Sequence, residues 1–265
     1  MLKFFRQIRQ NLISQNKLSK YLFYAIGEIV LVVIGILIAL QINNANETRK
    51  QRIVERSYLK RLVVDLRENK NLWKERINMQ EKQLDGANGI LNLSFDENQN
   101  EKIRQMLPYF QALATLDDIY INQVTFNEMV SSGNLNLISS DSIRLKLLDL
   151  DKQYQIIMNG WENTVKNNDK LIMEPILDIM SFRYTFPLNP EQQAVHTRKY
   201  TQEELNEYLT LYLDEFRTLI KNKSFMNGLS MINANSDSNI QRFKQAESQV
   251  DELILLIENN LKIVN

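Results

Sequence analysis

The stretch Tyr21–Ile42, YLFYAIGEIVLVVIGILIALQI, decides how the rest of the chain is read. Its 22 residues include a single charged side chain, Glu28. At about 1.5 Å per residue they extend roughly 33 Å as a helix, enough for the roughly 30 Å of hydrocarbon in a bilayer. Tyr21, Phe23 and Tyr24 stand at one end, where amphipathic rings favour the headgroup layer. Gln41, Asn43, Asn44 and Asn46 close the other. A secretory signal has a shorter apolar core, about 7–15 residues, and a small-x-small cleavage site; no such site follows Leu40. The stretch is predicted to be a transmembrane helix.

Glu28 is the awkward residue in this span. A carboxylate at mid-bilayer costs about 2.5–3.5 kcal/mol on insertion scales, so such groups face protein or water. Two roles fit it. A neutral Glu28 hydrogen-bonds Tyr24 one turn back or a polar group on a neighbouring helix; alternatively, it belongs to an ion or proton pathway. At about 100° per residue, Glu28, Val32, Gly35 and Ala39 fall in one narrow stripe. Gly35 and Ala39 have the small-xxx-small spacing that lets membrane helices approach closely. This face is expected to mediate helix association.

The segment KYLFYAIGEIVLVVIGILIALQINNANE resembles the N-terminal signature of an uncharacterised family of bacterial single-span membrane proteins. The similarity runs from about Leu2 to Glu47, and returns more weakly at TFNEMVSSGNLNLIS, Thr125–Ser139. Ala45 stands where the family pattern carries Trp, so no interfacial anchor is assigned there. The resemblance implies a basic head, a span with an embedded Gly-Glu pair and a helical extramembrane region. It implies no chemistry.

Three domains follow from these boundaries: a basic amphipathic head (1–20), the transmembrane helix (21–42) and a helical-bundle extramembrane domain (43–265). The head holds Lys3, Arg6, Arg9, Lys17 and Lys20 and no acid; since the whole chain is formally neutral, the remainder carries −5. Phe4, Phe5, Ile8 and Leu12 lie near one side of a short interfacial helix whose cations suit anionic lipid. Cations near the two ends of the span are nearly tied, five before against Arg49, Lys50, Arg52, Arg56, Lys60 and Arg61 after. Lys17 and Lys20 abut the span, which favours a cytoplasmic head and a periplasmic domain in a bacterial inner membrane.

Beyond the span the pattern is helical throughout, giving an all-α, elongated bundle. Tyr58, Leu62, Leu66, Trp73, Ile77 and Leu84 form a stripe on a helix of about 40 residues that DGANG, Asp85–Gly89, should stop. Two shorter helices are expected over about 97–114, kinked at Pro108, and 117–131. Gly133 suits a left-handed cap with Leu135 or Leu137 packing back. Ser139–Asp141 caps a long helix with the stripe Ile143, Leu147, Leu150, Tyr154, Ile157, Trp161 and Val165, bent at Pro175. Residues 184–190 read as a loop, and Thr201-Gln-Glu-Glu204 as a capping box. Ile240, Phe243, Val250, Ile254, Ile257, Leu261 and Val264 take heptad positions, with Glu247 the exception.

The catalytic inventory is thin. Cysteine is absent and His196 is the sole histidine, on an expected loop, so thiolate and histidine-rich metal sites are excluded. Asp117-Asp118 and Asp149-x-Asp151 diverge on a helix and suit capping or a solvated face. Trp73 and Trp161 sit on apolar stripes and suit a core. No catalytic residue, metal or cofactor is expected, and nothing supports nucleic-acid binding. The expected function is a membrane-anchored scaffold or interaction protein, oligomeric or docked on a membrane complex, without enzymatic activity. The alternatives are an accessory subunit of an ion- or proton-driven assembly using Glu28, or a periplasmic ligand-sensing module, for which the 20-residue head leaves no signalling domain of its own.

Overall fold

A computed structural model of the chain describes residues 18–93, 99–114, 116, 118–188 and 198–263. Residues 1–17 of the head, the His196 segment and Val264 lie outside these residues. Among them there is no strand. The helices are α1 (Leu18–Leu91), α2 (Gln99–Ala114), α3 (Val124–Ser131), α4 (Asp141–Asn168), α5 (Glu174–Ile179), α6 (Phe182–Leu188), α7 (Gln202–Leu219) and α8 (Lys223–Ile263). The chain divides into two compact units, Met1–Ser57 and Tyr58–Asn265, the division falling within α1.

In the first unit, α1 is apolar on every side. Every large apolar residue from Ile26 to Ile42 is at least 46% exposed. The most apolar window has a mean hydropathy of 2.6 with none of it buried, and the helix is long and apolar enough to cross a membrane. Polar pairing resumes after it, with Thr48 donating to the Asn44 carbonyl at 2.9 Å and Lys50 paired with Glu47 at 2.8 Å.

The second unit holds two cores. In the first, α1 supplies Leu59, Leu62, Leu66 and Trp73, and α4 supplies the whole expected stripe from Ile143 to Trp161. Trp73 stacks on Phe243 at 5.8 Å and meets Tyr154 at 5.5 Å. Both tryptophans are core residues. Ion pairs fix directions: Arg67 meets Glu258 at 2.7 Å, Lys244 meets Glu81 at 3.9 Å, and Lys146 meets Glu252 at 2.7 Å, while Trp161 lies beside Phe243. Rising numbers on α1 and α4 pair with falling numbers on α8, so α8 runs antiparallel to both. The second core gathers Ile90 of α1, Ile103, Phe110 and Leu113 of α2, Ile176 of α5, Tyr212 and Phe216 of α7, and Phe225 and Leu229 of α8.

Several local expectations hold to the residue. Gly133 has φ 73°, and Leu135 packs against the first core. Ser140 caps α4, accepting from the Ile143 N–H. Thr201 and Glu204 form both bonds of the capping box.

Others are corrected. DGANG does not stop α1, which runs on to Leu91. Burying Ala87 and Ile90 in the second core outweighs the roughly 1 kcal/mol helix cost of each glycine. Leu84, expected on the stripe, is only half-buried, and Gln80 and Gln83 are buried on α1 instead. Residues 118–123 are not helical and α3 begins only at Val124. Residues 184–188 belong to α6 rather than a loop, with Pro187 inside it. The α8 seam also shifts: Phe243, Ala246, Val250, Leu253 and Ile257 are buried, while Ile254 and Leu261 are half-buried. The core therefore takes Ala246 and Leu253 where the heptads offered Glu247 and Ile254.

Near Pro175 the helix is irregular one turn earlier than the proline. Asp169–Met173 is a π-turn, with the Glu174 N–H donating to the Asp169 carbonyl five residues back. Pro175, in the first turn of α5, has no N–H to give the carbonyl of Leu171, so the regular i−4 ladder is interrupted there.

Candidate functional sites

Three places in the molecule bear on function, the first being the association face. Glu28 is half-buried, and Val32, Gly35 and Ala39 are exposed along α1. A Cβ added at Gly35 would meet nothing within 4 Å, and the same holds for Gly27. The chain itself therefore has no steric need for glycine at either position.

The second place is the start of α3, where the Thr125–Ser139 element begins. Here α1 reaches across with three polar side chains, Asp65, Glu68 and Asn69, Glu68 accepting from the Asn122 side chain. Asp65 accepts from the Thr125 N–H at 2.9 Å, capping α3 from another helix. Asn69 donates to the Asn122 carbonyl and accepts from its N–H, both at 2.8 Å. Gln123 adds a bond to Asp151 at 2.8 Å. These bonds give the backbone around Asn122 an alternative to the helical ladder, which explains the late start of α3. One turn further along α3, Glu128 accepts from Arg61 and from the Tyr58 hydroxyl. The Arg61 hydrogen bond holds the Glu128 carboxyl below its ordinary range. These bonds fasten α3 to α1, and Asp65, Asn69, Asp151 and Tyr154 also line a small cavity of about 20 Å³ here. Asp118 is exposed and accepts from Tyr120, and Asp151 accepts from Gln123 and Gln155; Asp149 is exposed, and Asp117 lies outside the described residues.

The third place went unread in the sequence. Gln80 and Gln83 of α1, Asn168 at the end of α4 and Ser236 of α8 are all buried. Gln80 donates through Nε2 to Gln83 and to Ser236, each at 3.1 Å; Gln83 donates to the Ala112 carbonyl at 3.0 Å. Gln80, Gln83 and Asn168 border a cavity of about 50 Å³, partly open to solvent, which the exposed Asn167 and Asn235 also line. Gln80 Oε1 and Asn168 Nδ2 are buried without a hydrogen-bond partner. Gly228 stands against the π-turn here, where a Cβ would lie 2.7 Å from Ile172 Cδ1 and 3.0 Å from the Leu171 carbonyl oxygen. The signal was present in the sequence: Gln80 and Gln83 occupy positions at core spacing after Trp73, where apolar residues belong.

Comparison with known proteins gives the chain a family but no activity. A sequence model of the family of unknown function DUF6090 matches residues 28–174, more than half the chain, beginning at Glu28 and taking in the Thr125–Ser139 element. No curated protein and no solved structure matches. The chain belongs to the DUF6090 family.

Proposed function

We propose that this DUF6090 member is a membrane-anchored helical interaction protein with no chemistry of its own. The carrying observation is the apolar segment of α1, in which every large side chain from Ile26 to Ile42 is at least 46% exposed. Contiguous apolar surface of that extent is not left in water, and a helix apolar on all sides suits lipid or a surrounding bundle. The partners proposed are membrane lipid and a second copy or another membrane protein, met through Glu28, Val32, Gly35 and Ala39. The α8 seam is filled by α1 and α4 of the same chain, so it is not the surface offered to a partner. The head is placed in the cytoplasm and the second unit in the periplasm, on the strength of Lys17 and Lys20.

Alkaline carbonate extraction of membranes from expressing cells tests the anchor: the chain should stay in the pellet, and release to the supernatant would end the reading. Gly35→Leu tests the face. Because that side chain meets nothing within the chain, a fall in oligomeric mass in mild detergent reads the partner alone, and an unchanged mass removes the face. Glu28→Gln separates a hydrogen-bonding role from a titrating one. Normal assembly and phenotype support the scaffold, whereas normal assembly with lost phenotype would favour a proton conduit.

A further inference from the structure

Beyond Ile42, helix α1 runs on with nothing beside it. Residues 43–54 are helical and every one of them is exposed. Helices in proteins owe most of their stability to the packing of one face, and this stretch packs on nothing in its own chain. Its sequence nevertheless has a face. At about 100° per residue, Ile42, Asn46, Ile53 and Ser57 fall within about 40° of Glu28, on the stripe of Val32, Gly35 and Ala39. The steps from Glu28 through Val32, Gly35, Ala39 and Ile42 to Asn46 alternate four and three, and Ile53 follows seven later. That is the period of a coiled-coil seam, and it carries the association face on past the apolar segment.

The charges keep off this face. Residues 43–57 hold six charged side chains, Glu47, Arg49, Lys50, Arg52, Glu55 and Arg56. Ile42 and Ile53 nevertheless stand 66% and 62% exposed on the stripe. Lys50, at its edge, is drawn aside to Glu47 at 2.8 Å. Arg49 takes the one inward position left between Asn46 and Ile53, and its long stem can carry the charge out to water. Asn46 takes an inward position at which a single asparagine sets register and strand number in parallel coiled coils.

This pattern selects the occupant. Two copies held in one bilayer with one orientation run parallel, and two-fold symmetry along the helices sets each residue against its own counterpart. A face used in that way must tolerate itself. Ile42 and Ile53 do so as apolar surfaces, and Asn46 does so because an amide is both donor and acceptor. A basic or acidic partner would call instead for charge along the stripe.

We propose that a second copy of this chain packs parallel and in register along α1 from Glu28 to Ser57, forming a two-stranded coiled coil that continues beyond the apolar segment. Asn46 then meets the partner's Asn46. The proposal rests on the association face and deepens it: it selects a second copy over another membrane protein and fixes direction and register.

Because the chain has no cysteine, single cysteines can test this in the full chain, in membranes of expressing cells. Asn46→Cys and Ile53→Cys lie on the seam; Thr48→Cys and Gln51→Cys, at exposed positions, lie on the opposite side of the helix. After oxidation with copper phenanthroline, the two seam variants should move most of the chain to a dimer band and the two controls little of it. Co-expression with a copy enlarged by a tag should add a band of hybrid mass. Arg49→Leu removes the one like-charge contact and should raise the dimer fraction of Ile53→Cys. Cross-linking that is absent, or equal at all four positions, overturns the proposal. So does a product without the hybrid band, which would name another protein as partner, or a dimer fraction that Arg49→Leu fails to raise. If the chain stays in the carbonate pellet and Gly35→Leu lowers the mass while the seam cysteines fail, the copies part beyond the apolar segment and this proposal alone falls.

Discussion

Helix α1 contains two regions that share a backbone and almost nothing else. From Ile26 to Ile42 it is apolar on all sides, and every large side chain there is exposed. From Tyr58 to Ile90 the apolar residues narrow to a stripe, and Leu59, Leu62, Leu66 and Trp73 are buried while Lys60, Arg67 and Glu68 face water. Helix propensity does not separate them, since Leu, Ile, Lys and Glu all sit comfortably in a helix. What separates them is the environment the sequence demands. A stripe asks for protein on one side and water on the other, and a full apolar girdle asks for something other than water all round.

The largest effect that sharpens this contrast is Trp73→Ala. Trp73 is wholly buried between Tyr154 and Phe243, joining all three long helices of the first core. Its truncation should cost about 3–5 kcal/mol and lower the melting temperature of the full chain in detergent sharply. A near-native melting curve would mean that the striped region does not form the core of the second unit.

Next comes the seam of α8. Leu253 is wholly buried and Ile254 half-buried, so Leu253→Ala should cost about 2–5 kcal/mol and Ile254→Ala less than half as much. Equal costs, or the reverse order, would restore the register that the heptads suggested. Urea titration of both variants measures the difference directly.

That seam also shows where sequence legibility stopped. Features set by local chemistry could be read: the left-handed Gly133, the Ser140 cap, the Thr201–Glu204 box and the α4 stripe each depend on a few adjacent residues. Features set by distant partners could not. Ala246 displaces Glu247 because it is wholly buried in the core that α1 and α4 also supply, and the chain alone does not announce that assembly. The glycines of DGANG signal a stop until a second core pulls Ala87 and Ile90 into helix. Residues 118–123 resist helix formation because Asn69, some 50 positions earlier, holds Asn122. The association face could be named from spacing, but the polar recess needs Gln80, Asn168 and Gly228 brought together from three helices. Only the two glutamines at core positions hinted at it.

A pH titration separates the two regions by their titratable groups. Burial pushes the Tyr154 phenol up to about 12, and burial also raises Tyr212 in the second core. An unfolded tyrosine ionises near pH 10. Below that pH both states hold the proton and the contribution of Tyr154 is fully present. Between about pH 10 and 12 the unfolded chain sheds the proton and the folded chain keeps it, so stability falls with rising pH. The loss reaches about 3 kcal/mol for Tyr154 at 1.36 kcal/mol per unit. Melting temperatures at about pH 9 and pH 11 should differ accordingly, and Tyr154→Phe should shrink the difference. A pH-independent melt of the wild type would place Tyr154 in contact with water.

The smallest expected effect bears on the other side of the comparison. Leu31 is 70% exposed on the apolar region of α1, so within the chain its truncation removes little contact. Leu31→Ala should shift the unfolding of the second unit by less than about 0.5 kcal/mol, as surface substitutions do. The equivalent change at buried Leu62 should cost about 2–5 kcal/mol, although both are leucines on one helix. Any effect of Leu31→Ala should appear instead in membrane extraction or oligomeric mass. If Leu31→Ala lowers the melting temperature as far as Leu62→Ala does, residues 26–42 are packed against protein of the same chain, and the two regions of α1 do not meet different surroundings after all.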